Sequence, residues 1–210
     1  MEWPTFGLPL LSLEQVMTRL GAAAVVLAVH GWVAAWIAVR LGDRGPGHDG
    51  RVTLNPLAHL DIVGLVHAIF FRVLWMRPLD VDPHALRRGG IGTLVAVVGP
   101  ALVVCLLSAG ALAARRLAVA LLEGSGGLTL SGFLAVVSDI AFVSALASVL
   151  PWPVFVGALW LKGRGASLRW LERPASRWVA VIVLIGMSTS GVTTGLVRPA
   201  LAWWRVTLGY

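Results

Sequence analysis

Charge is scarce in this 210-residue chain, where Asp, Glu, Lys and Arg make up only 13% of the residues. A soluble domain of that length needs roughly twice as much to cover its surface, which argues against a water-soluble globular protein. Cysteine is scarcer still. Cys105 stands alone inside an apolar run, so no intrachain disulfide forms and the residue reads as a small apolar side chain. No cleavable leader is expected either. Residues 1–18 hold Glu2, Glu14, Pro4 and Pro9 and no Lys or Arg, whereas a signal peptide needs a basic start and a short apolar core. The first long apolar run is therefore expected to act as an uncleaved anchor. No internal repeat and no low-complexity tract is present, which leaves little support for a transporter built from paired interrupted segments.

What remains is apolar. The chain is 58% hydrophobic, with a mean hydropathy of +0.84. Crossing the hydrocarbon core takes about 20 apolar residues. Residues 20–39 and 91–114 satisfy that, as does 178–197. Residues 62–76 are short and hold His67 and Arg72, so this span is marginal. Residues 128–161 are too long for one simple span; they contain Asp139 and are broken by Pro151 and Pro153. The expected fold class is an all-α polytopic membrane protein with about five transmembrane segments. Between the first two lies a glycine-rich stretch, 42–61, in which 51–54 is expected to be extended, as a small β-hairpin. A single membrane domain covers 1–210: an N-terminal segment 1–18, a core 19–161, a basic loop 162–177, a last transmembrane helix 178–197 and an interfacial tail 198–210.

The net charge is +7 and the pI about 11.4. The basic residues sit between apolar runs, at Arg87 and Arg88, Arg115 and Arg116, and across 162–177. That placement fits juxtamembrane anchors and anionic lipid and argues against nucleic acid. Of the ten tryptophans, Trp3, Trp75, Trp160, Trp170, Trp178, Trp203 and Trp204 lie near segment ends, as in an aromatic belt. With five crossings, the N-terminus shares a side with 77–88 and 162–177. The positive-inside rule then puts it in the cytoplasm, across a bacterial inner membrane.

Residues 29–40 read VHGWVAAWIAVR and run on through LGDRGPGHDGRVTLNPLAHLD. This resembles the minimal site-2 protease family of intramembrane zinc metalloproteases, where a membrane helix carrying HExxH is followed by Gly-Asp and GRxTLNPxxHxD. Gly42, Asp43, Gly50, Arg51, Thr53, Leu54, Asn55, Pro56, His59 and Asp61 match. A proline-rich hairpin is mirrored by 77–83. Gly99 and Pro100 match the family's Ala-Gly-Pro-x-x-Asn element, whose asparagine falls on Val103. Pro151, Pro153 and Gly157 match its later N-L-L-P-x-P-x-L-D-G segment. The resemblance covers roughly 20–160.

The resemblance implies a site, and this chain departs from it. In the family, two histidines one helical turn apart and a later aspartate hold zinc, and a glutamate acts as general base. Here the first histidine is His30. The base position is Gly31, the second histidine position is Ala34, and the aspartate position is Val156. A general base supplies about 10²–10⁴ in rate, and a lone histidine does not make a three-ligand site. The expectation is therefore a pseudo-protease: no enzyme, no cofactor and no resident metal. It would be an integral membrane scaffold, an accessory subunit of a larger assembly such as a respiratory or photosynthetic complex. Its partners would be other membrane subunits and lipids, possibly anionic. Alternatives are a regulatory pseudo-protease that holds a membrane-spanning client, and an atypical zinc enzyme using His30, His59 and Asp61.

Other residues stand out. His30, His59 and His67 could form a different metal or haem site or be satisfied core histidines. Asp139 and Arg72 read as an internal ion pair ahead of a proton relay. Thr53, Asn55, His59 and Asp61 either fold their loop on its own backbone or contact a client. Trp203 and Trp204 anchor the tail in the interface or meet a partner.

Overall fold

A computed structural model describes residues 10–82, 84–87, 89–122, 124–149, 186 and 192–210. It divides into two units, one of residues 11–149 and one formed by 1–10 with 150–210.

The first unit is built on α1, Leu13–Leu41. Ser12 opens it with a capping box, its hydroxyl taking the Gln15 N–H while the Gln15 side chain takes the Ser12 N–H. Gly42 closes it in the left-handed conformation, φ 119°, the geometry for which glycine is the usual stop. Its 29 residues span roughly 44 Å, more than a bilayer core. The buried face consists of two adjoining ridges at i+4 spacing: Ala22, Val26, His30, Ala34 and Ala38, and beside them Ala23, Leu27, Gly31 and Ala35.

Two further helices are long and apolar enough to cross a membrane: α4, Gly89–Leu121, and α5, Ser125–Val149. A Cβ on Gly99 of α4 would lie 2.8 Å from Cδ1 of Ile37, late in α1, so the Ile37 side chain packs against α4 where glycine leaves room. Early α5 meets early α1, where Phe133 packs on Gly21. Hence α4 runs antiparallel to α1, and α5 parallel to it. Polar groups join α4 to α5: the Ser108 hydroxyl lies 2.8 Å from that of Ser138, and Arg115 Nε donates to Ser131 Oγ at 2.8 Å.

The remaining elements are short. They are α2, Gly45–His48, a 3-10 turn at Pro56–His59, and α3, Ile62–Phe71. Two expectations change here. First, α3 has ten residues, about 15 Å, so it cannot cross. The chain then turns at Arg72 and returns along 73–82, with Val73 and Leu74 buried. Arg77 N–H bonds the His59 carbonyl, Asp82 N–H the Asp43 carboxylate, and Arg87 N–H the Leu41 carbonyl. Non-helical backbone buried in protein is the tolerated form at such depth. Asp82 and Arg87 thus lie at the C-terminal end of α1, whereas the expected orientation counted their stretch on the side where α1 begins.

Second, no strand is present among the described residues, and 52–54 form bends where a hairpin was expected. Side chains take the backbone N–H groups that a ladder would need: Thr53 Oγ1 accepts from Asn55 N–H, and Asn55 Oδ1 from Leu57 N–H. The expected spans thus resolve into three crossing-length helices and one short dip, among the described residues. The continuation of the fourth span beyond 149 and most of 178–197 lie outside them.

In the second unit α6, Val192–Thr207, carries Pro199 within it. It is apolar on one face and polar on the other, and Trp203 is largely exposed.

Candidate functional site

The two ridges of α1 bring His30, Gly31 and Ala34 to the buried face, and all three are nearly inaccessible. The loop after α1 brings in the opposing residue. Asp43 is buried and braces the loop twice, accepting from Gly45 N–H at 2.9 Å and from Asp82 N–H at 2.9 Å. Arg51 Nη2 donates to the Arg77 carbonyl at 2.9 Å. Asn55 and Pro56 start the 3-10 turn, and Asp61 ends the loop by capping α3 through Gly64 N–H at 2.8 Å.

This scaffold drives His59 inward until it is 0% exposed. Its Nε2 lies 2.9 Å from the Thr53 carbonyl. A carbonyl only accepts, so Nε2 carries the proton and Nδ1 presents its lone pair. No group meets that lone pair. A Cβ placed on Gly31 would overlap Cγ and Nδ1 of the ring and lie 2.5 Å from Cδ2. The imidazole therefore occupies the volume that any side chain at position 31 would need. Burial is the largest influence on His59 and pushes it below its ordinary pKa; the Thr53 bond opposes this, and the nearby Arg51 charge adds to it. The ring is neutral near pH 7.

The described residues do not form a three-ligand zinc site. Ala34 offers only a methyl group one helical turn from His30, and Val156 lies outside the described residues. The His59 ring fills the space beside Gly31. Among the described residues no group of three or more His, Cys, Asp or Glu is placed to hold a metal. That includes the set His30, His59 and Asp61, whose aspartate is engaged as a helix cap.

The other singled-out residues separate from this point. His67 donates from Nδ1 to the Val73 carbonyl at 3.0 Å and packs between Phe71 and Trp75. Arg72 pairs with buried Asp139 at 2.7 Å. Thr53 and Asn55 bond the backbone of their own loop, and Asp61 caps α3. Trp203 and Trp204 belong to the other unit. Sequence reasoning did not join His59 to Gly31. The available signal was the pairing of the motif histidine His59 with a glycine at position 31. Arg19, in the second turn of α1, carries no motif signal in the sequence.

No family model matches the chain, and no solved structure matches it. A stretch of 77 residues is 32% identical to the protein named "Putative zinc metalloprotease YwhC" from Bacillus subtilis (strain 168), covering 36% of this chain. The match spans about a third of that relative's length, 35%. Local similarity to a metalloprotease therefore stands beside three helices of membrane-crossing length.

Proposed function

We propose that this chain is a non-catalytic relative of the intramembrane zinc proteases that serves as an integral membrane scaffold within a larger assembly. The observation that carries the reading is the His59 ring packed against Gly31, in the space a general base would need. Gly31 can take no proton from water, and Ala34 can hold no ion. Asn55, Asp61 and Asp43, which match the family's loop, are engaged in holding this closed arrangement. The assembly is a bacterial inner-membrane complex of other integral subunits, of respiratory or photosynthetic type. α6, with exposed Trp203, supplies an amphipathic surface for lipid or subunit.

A second reading, retention of a membrane-spanning client, draws support from Leu54, Leu57 and Ile62, which are exposed beside the loop. Purification in mild detergent with quantification of copurifying chains separates the two. A fixed-ratio set of membrane subunits supports the scaffold. A variable set of single-span proteins, lost on Leu57→Asp, supports client binding. Stoichiometric zinc together with proteolysis of a membrane substrate by the purified chain would sink both.

A further inference from the structure

A second feature lies at the other end of the bundle and does not depend on the protease resemblance. The N-terminal turns of α1 and α5 and the C-terminal end of α3 enclose a cleft of about 1060 Å³ that includes Arg19, Arg72, Thr18, Ser125 and Gly126. We propose that this cleft binds a phosphate-bearing anion, the shared chemistry of an anionic phospholipid headgroup and free phosphate.

Arg19 and Arg72 both line the cleft. Arg19 Nη1 donates to the carbonyls of Ile69 and Phe70 in the last turn of α3, and among the described residues no carboxylate pairs with it. Arg72 places Nη1 on Asp139 and remains 39% exposed. It is also the one residue other than glycine with positive φ among those described, at 62°. Such a conformation is retained in ordered proteins where the surroundings or a function demand it. Each guanidinium keeps further N–H donors in a planar fork suited to phosphate oxygens.

The start of α5 adds to this. It follows Gly124, which has no side chain to cap it, and its first turn holds no acidic residue. Its N-terminal N–H groups and dipole therefore favour an anion. A Cβ on Gly126 would meet nothing within 4 Å, so the cleft is open at that point. Glu14 also lines it, in the first turn of α1, where its charge complements that helix's own dipole. The cleft lies at the end of helices long enough to cross a membrane, where a headgroup phosphate would be met, and Leu128 on its wall is exposed.

The test uses the full chain, delipidated in neutral detergent. Its melting midpoint and binding isotherm are followed against short-chain phosphatidylglycerol, short-chain phosphatidylcholine and inorganic phosphate. Phosphatidylglycerol is expected to bind saturably at least tenfold more tightly than phosphatidylcholine. Arg19→Gln is expected to lose that preference, and so is Gly126→Glu, which adds a carboxylate in open space at a helix start that favours acids. If Arg19→Gln does not fold, Gly126→Glu decides. Phosphate that binds and competes assigns the site to the ion itself; phosphate without effect, beside a preference for phosphatidylglycerol, assigns it to the lipid. Equal binding of the two lipids with no phosphate effect overturns the proposal. So does a preference that survives the substitutions.

Discussion

At the scale of single residues, the contact between Gly31 and His59 carries the most consequence. Gly31→Ala forces a methyl group into the ring and should lower stability by about 1–3 kcal/mol, as overpacking does. Removing the ring in the same chain, by Gly31→Ala with His59→Ala, should be less damaging than the sum of the two single changes. A double-mutant cycle of melting in detergent measures that coupling; strict additivity would mean that the ring and position 31 do not touch. His59 also predicts a pH effect. Its folded pKa lies below the ordinary value of about 6.5 because it is buried. Below that value the unfolded chain takes up the proton that the folded chain resists, so stability rises with pH and falls on acidification. Melting compared between pH 7.5 and pH 5.5 should show a smaller loss for His59→Gln than for the parent chain. Much of this site was legible: the i, i+4 spacing places His30 and Ala34 on one inner ridge, beside Gly31. The plug was not. Residues 31 and 59 meet only through a loop whose course depends on Asp43 and Arg51 bonding to backbone that becomes close after folding.

Among the elements, the long helices were readable because uninterrupted apolar runs dominate them, and their ends were not. α4 begins at Gly89 and continues through Arg115 and Arg116 to Leu121, since Arg115 finds the Ser131 hydroxyl and needs no helix end to reach a partner. α3 is the main departure. Its apolar run looks like a weak span, yet Asp61 caps one end and left-handed Arg72 stops the other. The ion pair that ties this stop to α5 is asymmetric, with Arg72 39% exposed and Asp139 3%. Arg72→Ala leaves a buried carboxylate without its guanidinium and should cost about 3 kcal/mol, whereas Asp139→Ala leaves a cation that can reach solvent and should cost less. Chemical or thermal unfolding of the two variants ranks them, and equal losses would argue against the asymmetry. Arg72→Gly separates backbone from charge, because it relieves the left-handed conformation while deleting the pair.

For the molecule as a whole, the dip of α3 decides which segments share a face. The expectation of a crossing at 62–76 put residues 77–88 beside the N-terminus. The hydrogen bonds of Arg77, Asp82 and Arg87 put them beside Asp43 and Leu41 instead. Hydropathy could not foretell this, because a span and a re-entrant segment bury similar side chains and differ in where the chain goes next. Single cysteines introduced into a Cys105→Ala background report it directly. Residues changed at Asp49 and Asp80 should label from one face of the membrane, and one changed at Ser12 from the other. Labelling of positions 49 and 80 from opposite faces would restore the crossing and remove the re-entrant path.

The family pattern that this chain resembles carries a glutamate at the position of Gly31 together with a histidine at that of His59. In the arrangement seen here the two cannot coexist, since even one carbon atom at position 31 invades the ring. A chain that carries both must hold its loop elsewhere. On the reading proposed above, the absence of a side chain at position 31 removes a base and also opens a berth that the loop histidine fills. Gly31→Glu alone would then meet the ring, so regaining the glutamate would require two distant stretches of the chain to shift at once. Silencing of that kind would behave as a ratchet.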